Sequence, residues 1–237
     1  MKRTGFILLS GLIVLGLVAV YFFWFGPLRG SSRTSNLIVF LRNPAKHQEW
    51  VTEALRQCNN APFMMPSRGY IGFLWDDSFR PGHRHAGIDI FGGGEPGEVP
   101  VYAAYDGYLT RQQDWKSTVI IRIPSDPLNP GTQVWAYYTH MADDDGKSFI
   151  DRAFPPGTSE VFVKGGTLLG YQGNYSGTPG NPTGLHLHFS IVRDDGSGKY
   201  LNELEIANTY DPSPYLGMLL NNKAGGVTPV LCEKFDP

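Results

Sequence analysis

The sequence predicts a mainly β, antiparallel domain with an N-terminal transmembrane helix and one short soluble helix. Three observations carry this. The 29 glycines and 18 prolines among 237 residues are spread along the chain, which favours short strands and tight turns over helical bundles. Short apolar or alternating segments recur between Gly-Gly, Pro-Gly, Asn-Pro-Gly and Asp-Gly turns, without the helical patterns of about 10–15 residues that a parallel α/β sheet places between its strands. An uninterrupted apolar run stands at the N-terminus.

That run, Gly5–Gly26 (GFILLSGLIVLGLVAVYFFWFG), is 22 residues long, and its only polar side chains are Ser10 and the Tyr21 hydroxyl. At about 1.5 Å per residue it spans a hydrocarbon layer of roughly 30 Å. Tyr21 and Trp24 suit the interfacial aromatic belt at one end, and Lys2 and Arg3 hold the other. One alternative is a cleaved signal peptide, but its apolar region runs about 7–15 residues, and Val18-Ala19-Val20 is a poor cleavage site; a buried-core helix is the third option. Arg29 and Arg33 balance Lys2 and Arg3, so basic residues alone leave the orientation open.

Residues 1–35 hold four basic groups and no acid, so the net charge of −2 leaves residues 36–237 at −6. A mildly acidic body argues against nucleic acid as a partner. Pro27–Ser35 (PLRGSSRTS) reads as a polar linker. Asn43-Pro44 reads as a helix start, and Trp50, Val51, Ala54, Leu55 and Cys58 share one helical face, which predicts a helix over 44–58. Strands are predicted at Tyr70–Trp75, His85–Phe91, Val101–Arg111, Thr118–Ile123, Gln133–His140, Val161–Val163, Thr167–Tyr171 and Leu185–Val192. Cys58 and Cys232 could form an intrachain disulfide closing the domain in an oxidising compartment; two unrelated buried thiols are the alternative.

Four of the six histidines fall in two short segments. In His83-Arg-His85-Ala-Gly-Ile-Asp89, the two-residue period of a strand puts His85, Gly87 and Asp89 on one face. In Gly184-Leu-His186-Leu-His188-Phe189, His186 and His188 share a face opposite Leu185, Leu187 and Phe189. Two histidines and one carboxylate with an open fourth position match a catalytic zinc. A non-haem iron triad uses the same donors, and histidines satisfied on a polar sheet face are the plain alternative. His83 would face the same way as His85 on a strand and could lie at the rim of the metal site, but reads as solvent-facing, and His47 reads as ordinary surface. Asp143-Asp-Asp-Gly146 lacks the full calcium-loop pattern and reads as a solvated turn. The loop Asn174–Pro182 reads as a connector that could shape a groove.

His85-Ala-Gly-Ile-Asp89 has the form H-x-G-x-D, Leu185–Phe189 the form of an H-x-H-F strand, and Tyr138-Thr139-His140-Met141 the form Y-x-H-hydrophobic. In order and spacing these resemble the LytM/lysostaphin family of zinc metallopeptidases. The resemblance extends to PVYAAYDG at 100–107, similar to the family's P-V-x-A-x-x-D-G strand, and to VKGGTLLGYQG at 163–173. It covers residues 62–216, including Asp211-Pro212. Carried over residue by residue, it implies His85, Asp89 and His188 as ligands of one zinc per chain. His140 and His186 then match the family's two active-site histidines that do not bind metal, with the general base open between them. Where the family often reads S-T-G-P-H-L-H-F-E, this chain has Leu185 for the proline and Ser190 for the glutamate. Neither replaces a ligand, so both departures bear on substrate fit.

The resemblance implies a zinc endopeptidase acting on peptide stems or cross-bridges of bacterial peptidoglycan. That substrate lies outside the cytoplasm, which sets the orientation: a cytoplasmic tail at 1–4, a single-pass anchor at 5–26, a linker and helix at 27–61, an extracytoplasmic metallopeptidase domain at 62–216 and a tail at 217–237. A non-catalytic family member that binds wall or activates an amidase is the alternative. Such proteins usually lack ligands, whereas all five residues are present here.

Overall fold

A computed structural model of the chain describes residues 32–77, 82–218 and 232. The described strands are β1 Tyr70–Phe73, β2 Ile88–Phe91, β3 Pro100–Tyr102, β4 Gly107–Thr110, β5 Val119–Ile123, β6 Val134–Thr139, β7 Val161–Val163, β8 Leu168–Tyr171, β9 Leu187–Arg193 and β10 Thr209–Tyr210. The main sheet runs β1-β2-β9-β6-β5-β4-β7, with β10 also on β9, while β3 and β8 pair separately. All of these pairings are antiparallel.

Alternation assigns the two faces of the sheet. Leu187, Phe189 and Ile191 of β9 join Ile88 and Ile90 of β2, Val119 and Ile121 of β5, and Ala136 and Tyr138 of β6 in the main core. Full burial of a side chain of this size contributes roughly 1.5–3 kcal/mol, so this face dictates the register. The opposite face carries a smaller cluster of Ile120, Trp135 and Val192. The residues between core positions on β2, β9 and β6 therefore share that face, and among them are Asp89 and His188. Pairing sets Asp89 directly opposite His188, and His188 opposite Thr139.

The helix expected over 44–58 is corrected. Only Pro44–Trp50 is helical there, as a 3-10 turn, and Val51 is extended. Thr52 exchanges two backbone hydrogen bonds with Gly69 (2.9 and 3.0 Å), and Val51 joins Leu37, Phe40, Tyr70 and Phe91 in a satellite core. For the β-branched pair Val51-Thr52, this tertiary pairing outweighs a local helical pattern. The regular helix is instead α1, Ser32–Arg42, whose first residues overlap the linker expected at Pro27–Ser35. Leu37 and Phe40, three residues apart, give α1 its buried side. A second, short helix, α2, covers Ser213–Leu216.

Several expected strands are shorter, β1 ending at Phe73 and β9 beginning at Leu187 among them, and one is divided. His85 lies ahead of β2, which begins at Ile88, and Val101–Arg111 is split into β3 and β4 by the turn that precedes Gly107. Cys58 and Cys232 form a disulfide with Cα atoms 5.3 Å apart, across 174 residues of sequence. Among the described residues no helix is long and apolar enough to cross a membrane; the apolar run at 5–26 lies outside them.

One glycine sets how closely β2 approaches β9. A Cβ at Gly87 would lie 2.3 Å from the Phe189 carbonyl oxygen and 3.0 Å from His188 Nε2. Gly87→Ala should push the two strands apart and cost about 1–3 kcal/mol in a denaturant titration. Unchanged stability would show that the strands are not in this contact.

Candidate metal centre and groove

Four segments converge on the open face. The turn before β2 supplies His85, β2 supplies Asp89, β9 supplies His188 with His186 just ahead of it, and His140 follows the end of β6. All five line one cavity of about 700 Å³. The structure thus brings together every residue singled out from the sequence motifs.

Three atoms form a close triangle. His85 Nε2 is 3.1 Å from Asp89 Oδ1 and 3.0 Å from His188 Nδ1, and His188 Nδ1 is 2.8 Å from Asp89 Oδ1. All three residues are buried or nearly so, and each offers one ligand atom to the group. The outward contacts fix which nitrogen of each ring carries a proton. His85 Nδ1 lies 2.9 Å from the Leu74 carbonyl, and His188 Nε2 lies 2.7 Å from Glu203 Oε1. Both partners can only accept, so each of those outer nitrogens donates, and the inner nitrogen is the atom a metal would take once it has given up any proton.

A carboxylate oxygen and two inner imidazole nitrogens therefore face one another, and such a set is stable only with positive charge, a proton or a metal ion, among them. The electrostatics say the same. Burial works against a charged His188, yet Glu203 and Asp89 on its two sides raise its pKa to about 10. Burial would also raise the Asp89 carboxyl, but the His186 and His85 rings and the hydrogen bonds from His188 and His85 hold it well below its usual value. Tetrahedral zinc with bonds of about 2.0–2.2 Å to nitrogen and oxygen separates its ligand atoms by roughly 3.3–3.5 Å. The observed spacings need open only slightly, so the donor set fits zinc.

His140 and His186 stand beside the triangle, their ring centroids 4.5 Å apart. His140 Nδ1 donates to the Tyr175 carbonyl and His186 Nδ1 to the Gly184 carbonyl, each at 2.6 Å. Both Nε2 atoms are thereby left as acceptors, and that of His186 is 3.5 Å from Asp89 Oδ1. His140 has a φ of +73°, a left-handed conformation that costs energy in a residue with a Cβ. Gly173 permits this crowding: a Cβ there would lie 2.5 Å from the His140 carbonyl oxygen and 2.1 Å from that of Ala142, while the Gly173 carbonyl accepts the His186 N–H.

The groove has two unlike walls. On one side Phe91 stacks on His186 at 4.9 Å and Phe73 meets His85 edge-on at 6.1 Å, and Leu37 and Leu41 of α1 continue this apolar wall. On the other, Thr139 and Thr118 share a hydroxyl hydrogen bond of 2.7 Å, and Tyr175 and Ser176 extend the rim. The loop Asn174–Pro182 thus does shape the groove through its first residues. The Asp143–Asp145 turn does not line it, although Asp144 accepts the Gly180 N–H of that loop. His83, expected to face solvent, is half-buried and lines the groove. His47 is half-buried against Trp50 at 4.1 Å. No sequence motif points to Glu203, which lies 15 residues from its partner His188.

Burial, and next the neighbouring His186, push the His140 pKa down to about 3. Protonation therefore favours the unfolded chain, where histidine titrates near about 6.5, and this group makes stability rise with pH between those two values. Denaturant titrations of metal-free protein at about pH 4.5 and pH 7.5 should show the difference, and His140→Gln should reduce it. An acid loss of the same size in that variant would contradict the assignment.

No protein-family model and no curated protein matches the chain. Among solved structures it is similar to the catalytic domain of the antimicrobial peptidase lysostaphin from Staphylococcus simulans, at 21% identity and TM-score 0.39 over 62% of this chain and 90% of that one. It is also similar to a catalytic-domain mutant of the prophage-encoded M23 protein EnpA from Enterococcus faecalis, at 22% identity and TM-score 0.37 over 63% and 95%. Helicobacter pylori Csd3 matches at 18% identity and TM-score 0.39 over 66% of this chain, which spans only 35% of that one. These solved structures are what the chain is similar to.

Proposed function

We propose that the chain is a membrane-anchored zinc metalloendopeptidase that hydrolyses peptide bonds in peptidoglycan stems or cross-bridges. The observation that carries the chemistry is the convergence of His85 Nε2, Asp89 Oδ1 and His188 Nδ1 at 2.8–3.1 Å with two further imidazole acceptors beside them. The substrate class rests on the motif resemblance.

His85, Asp89 and His188 would hold the zinc. A zinc held there supplies a Lewis acid for the scissile carbonyl and lowers the pKa of water into the neutral range. The chain's own residues do the rest. His140 and His186, each fixed through Nδ1 to a backbone carbonyl, present Nε2 acceptors that take a proton from the attacking water and return it to the leaving amine. Once protonated, either ring can donate to the oxyanion that develops on the carbonyl. The extended groove between the Phe73–Phe91 wall and the Thr139–Tyr175 wall suits a peptide, and burial of the triangle keeps bulk water from competing for it.

The anchor is the apolar run 5–26, with the catalytic domain on the extracytoplasmic side, where the Cys58–Cys232 disulfide is stable. Six peptide steps separate Gly26 from Ser32, the first residue of α1. At roughly 3.3–3.6 Å per residue this tether spans about 20 Å at most, so the α1 side of the groove would work close to the membrane surface.

The test is metal analysis of the detergent-solubilised full chain, coupled to a digest of purified peptidoglycan with mass analysis of the products. The expected result is one zinc per chain and new amine ends that disappear with chelator. His85→Ala should lose both zinc and cleavage. His140→Ala should keep zinc and lose about 10²–10⁴-fold in rate. Zinc without new amine ends would favour the wall-binding or amidase-activating alternative, and no stoichiometric zinc would overturn the mechanism.

A further inference from the structure

We propose that Glu203 is a positioning residue for the metal centre: its carboxylate fixes the tautomer and orientation of His188 and so sets zinc affinity. This rests on the reading of His85, Asp89 and His188 as zinc ligands. Glu203 Oε1 accepts from His188 Nε2 at 2.7 Å, on the side of the ring away from the triangle. It is therefore not a fourth ligand but a partner of one.

Burial makes the arrangement purposeful. The Glu203 side chain is 10% exposed, while its neighbour Leu204 is 82% exposed. The chain thus buries a carboxylate and exposes a leucine, the reverse of what solvation favours. The cost is offset by charge-assisted hydrogen bonding to a ring that must keep its other nitrogen free.

The surrounding turn holds Glu203 in place. The Leu201 N–H donates to the Arg193 carbonyl at the end of β9, Asn202 Oδ1 accepts the Leu204 N–H at 3.2 Å, and Asn208 Nδ2 donates to the Asn202 carbonyl at 3.0 Å. The departure at Ser190 then acquires a meaning. Ser190 shares the face of His188, and its hydroxyl donates to Glu203 Oε1 at 3.2 Å. Where the resembled family often carries glutamate on the strand itself, this chain has a small donor that receives a carboxylate from a later turn.

Outer partners of this kind typically change metal affinity by about 10–100-fold. The test uses the full chain with Glu203→Ala and the near-isosteric Glu203→Gln. Zinc dissociation constants are measured by competition with a chromophoric chelator, and thermal unfolding is recorded on metal-free protein. The expected result is zinc binding weakened at least about tenfold in Glu203→Ala and by a smaller but measurable factor in Glu203→Gln, whose metal-free unfolding stays at the wild-type temperature. A purely structural role predicts the opposite: Gln, filling the same space, would restore zinc affinity fully. Wild-type affinity in both variants overturns the proposal. Wild-type protein that binds zinc no better than His188→Ala fails at the underlying ligand assignment instead.

Discussion

The site depends on the register between β2 and β9. Asp89 is opposite His188 because Ile88 and Ile90 on one strand, and Leu187 and Phe189 on the other, must enter the same core. A slip of one residue would turn Asp89 into the core and Ile88 into the groove, together with every other side chain of the strand. The energy that holds the register is hydrophobic and acts on the far face of the sheet, so the polar residues need contribute none of it. Gly87 allows the two backbones to meet closely enough for imidazole and carboxylate to share a point.

A frame set by apolar burial can tolerate a polar cluster that destabilises the fold by itself. Asp89, Glu203 and the four histidines His85, His140, His186 and His188 lie within one groove, largely removed from water. Their hydrogen bonds share one arrangement: the outer nitrogen of each ring is tied to a carbonyl or to a carboxylate, and the inner one points into the groove. The left-handed backbone at His140 adds strain of the sort that persists only where the surroundings enforce it. Here the enforcement comes from β6 on one side and the close approach of Gly173 on the other.

Much of this was legible in the sequence, and the parts that were not share a cause. H-x-x-x-D and H-x-H each carry their own phase, because strand periodicity makes local spacing equivalent to facing direction. The core alternation of β9 was readable on the same grounds. Glu203 was not, since nothing local links it to His188; the only trace was Ser190, a small polar residue where a carboxylate is common in the resembled family. The helix was misplaced for a related reason. Val51 looks helical in spacing, but Val51 and Thr52 pack and pair with Tyr70 and Gly69, and those contacts decide the conformation.

The central claim is that the His85–Asp89–His188 triangle holds a metal ion. The most direct measurement is X-ray absorption at the zinc edge on the full chain loaded with one equivalent of zinc. The account predicts a four-coordinate shell of nitrogen and oxygen at about 2.0–2.2 Å, with outer scattering from two imidazoles. A six-coordinate oxygen shell without imidazole scattering, or a shell containing sulfur, would contradict it.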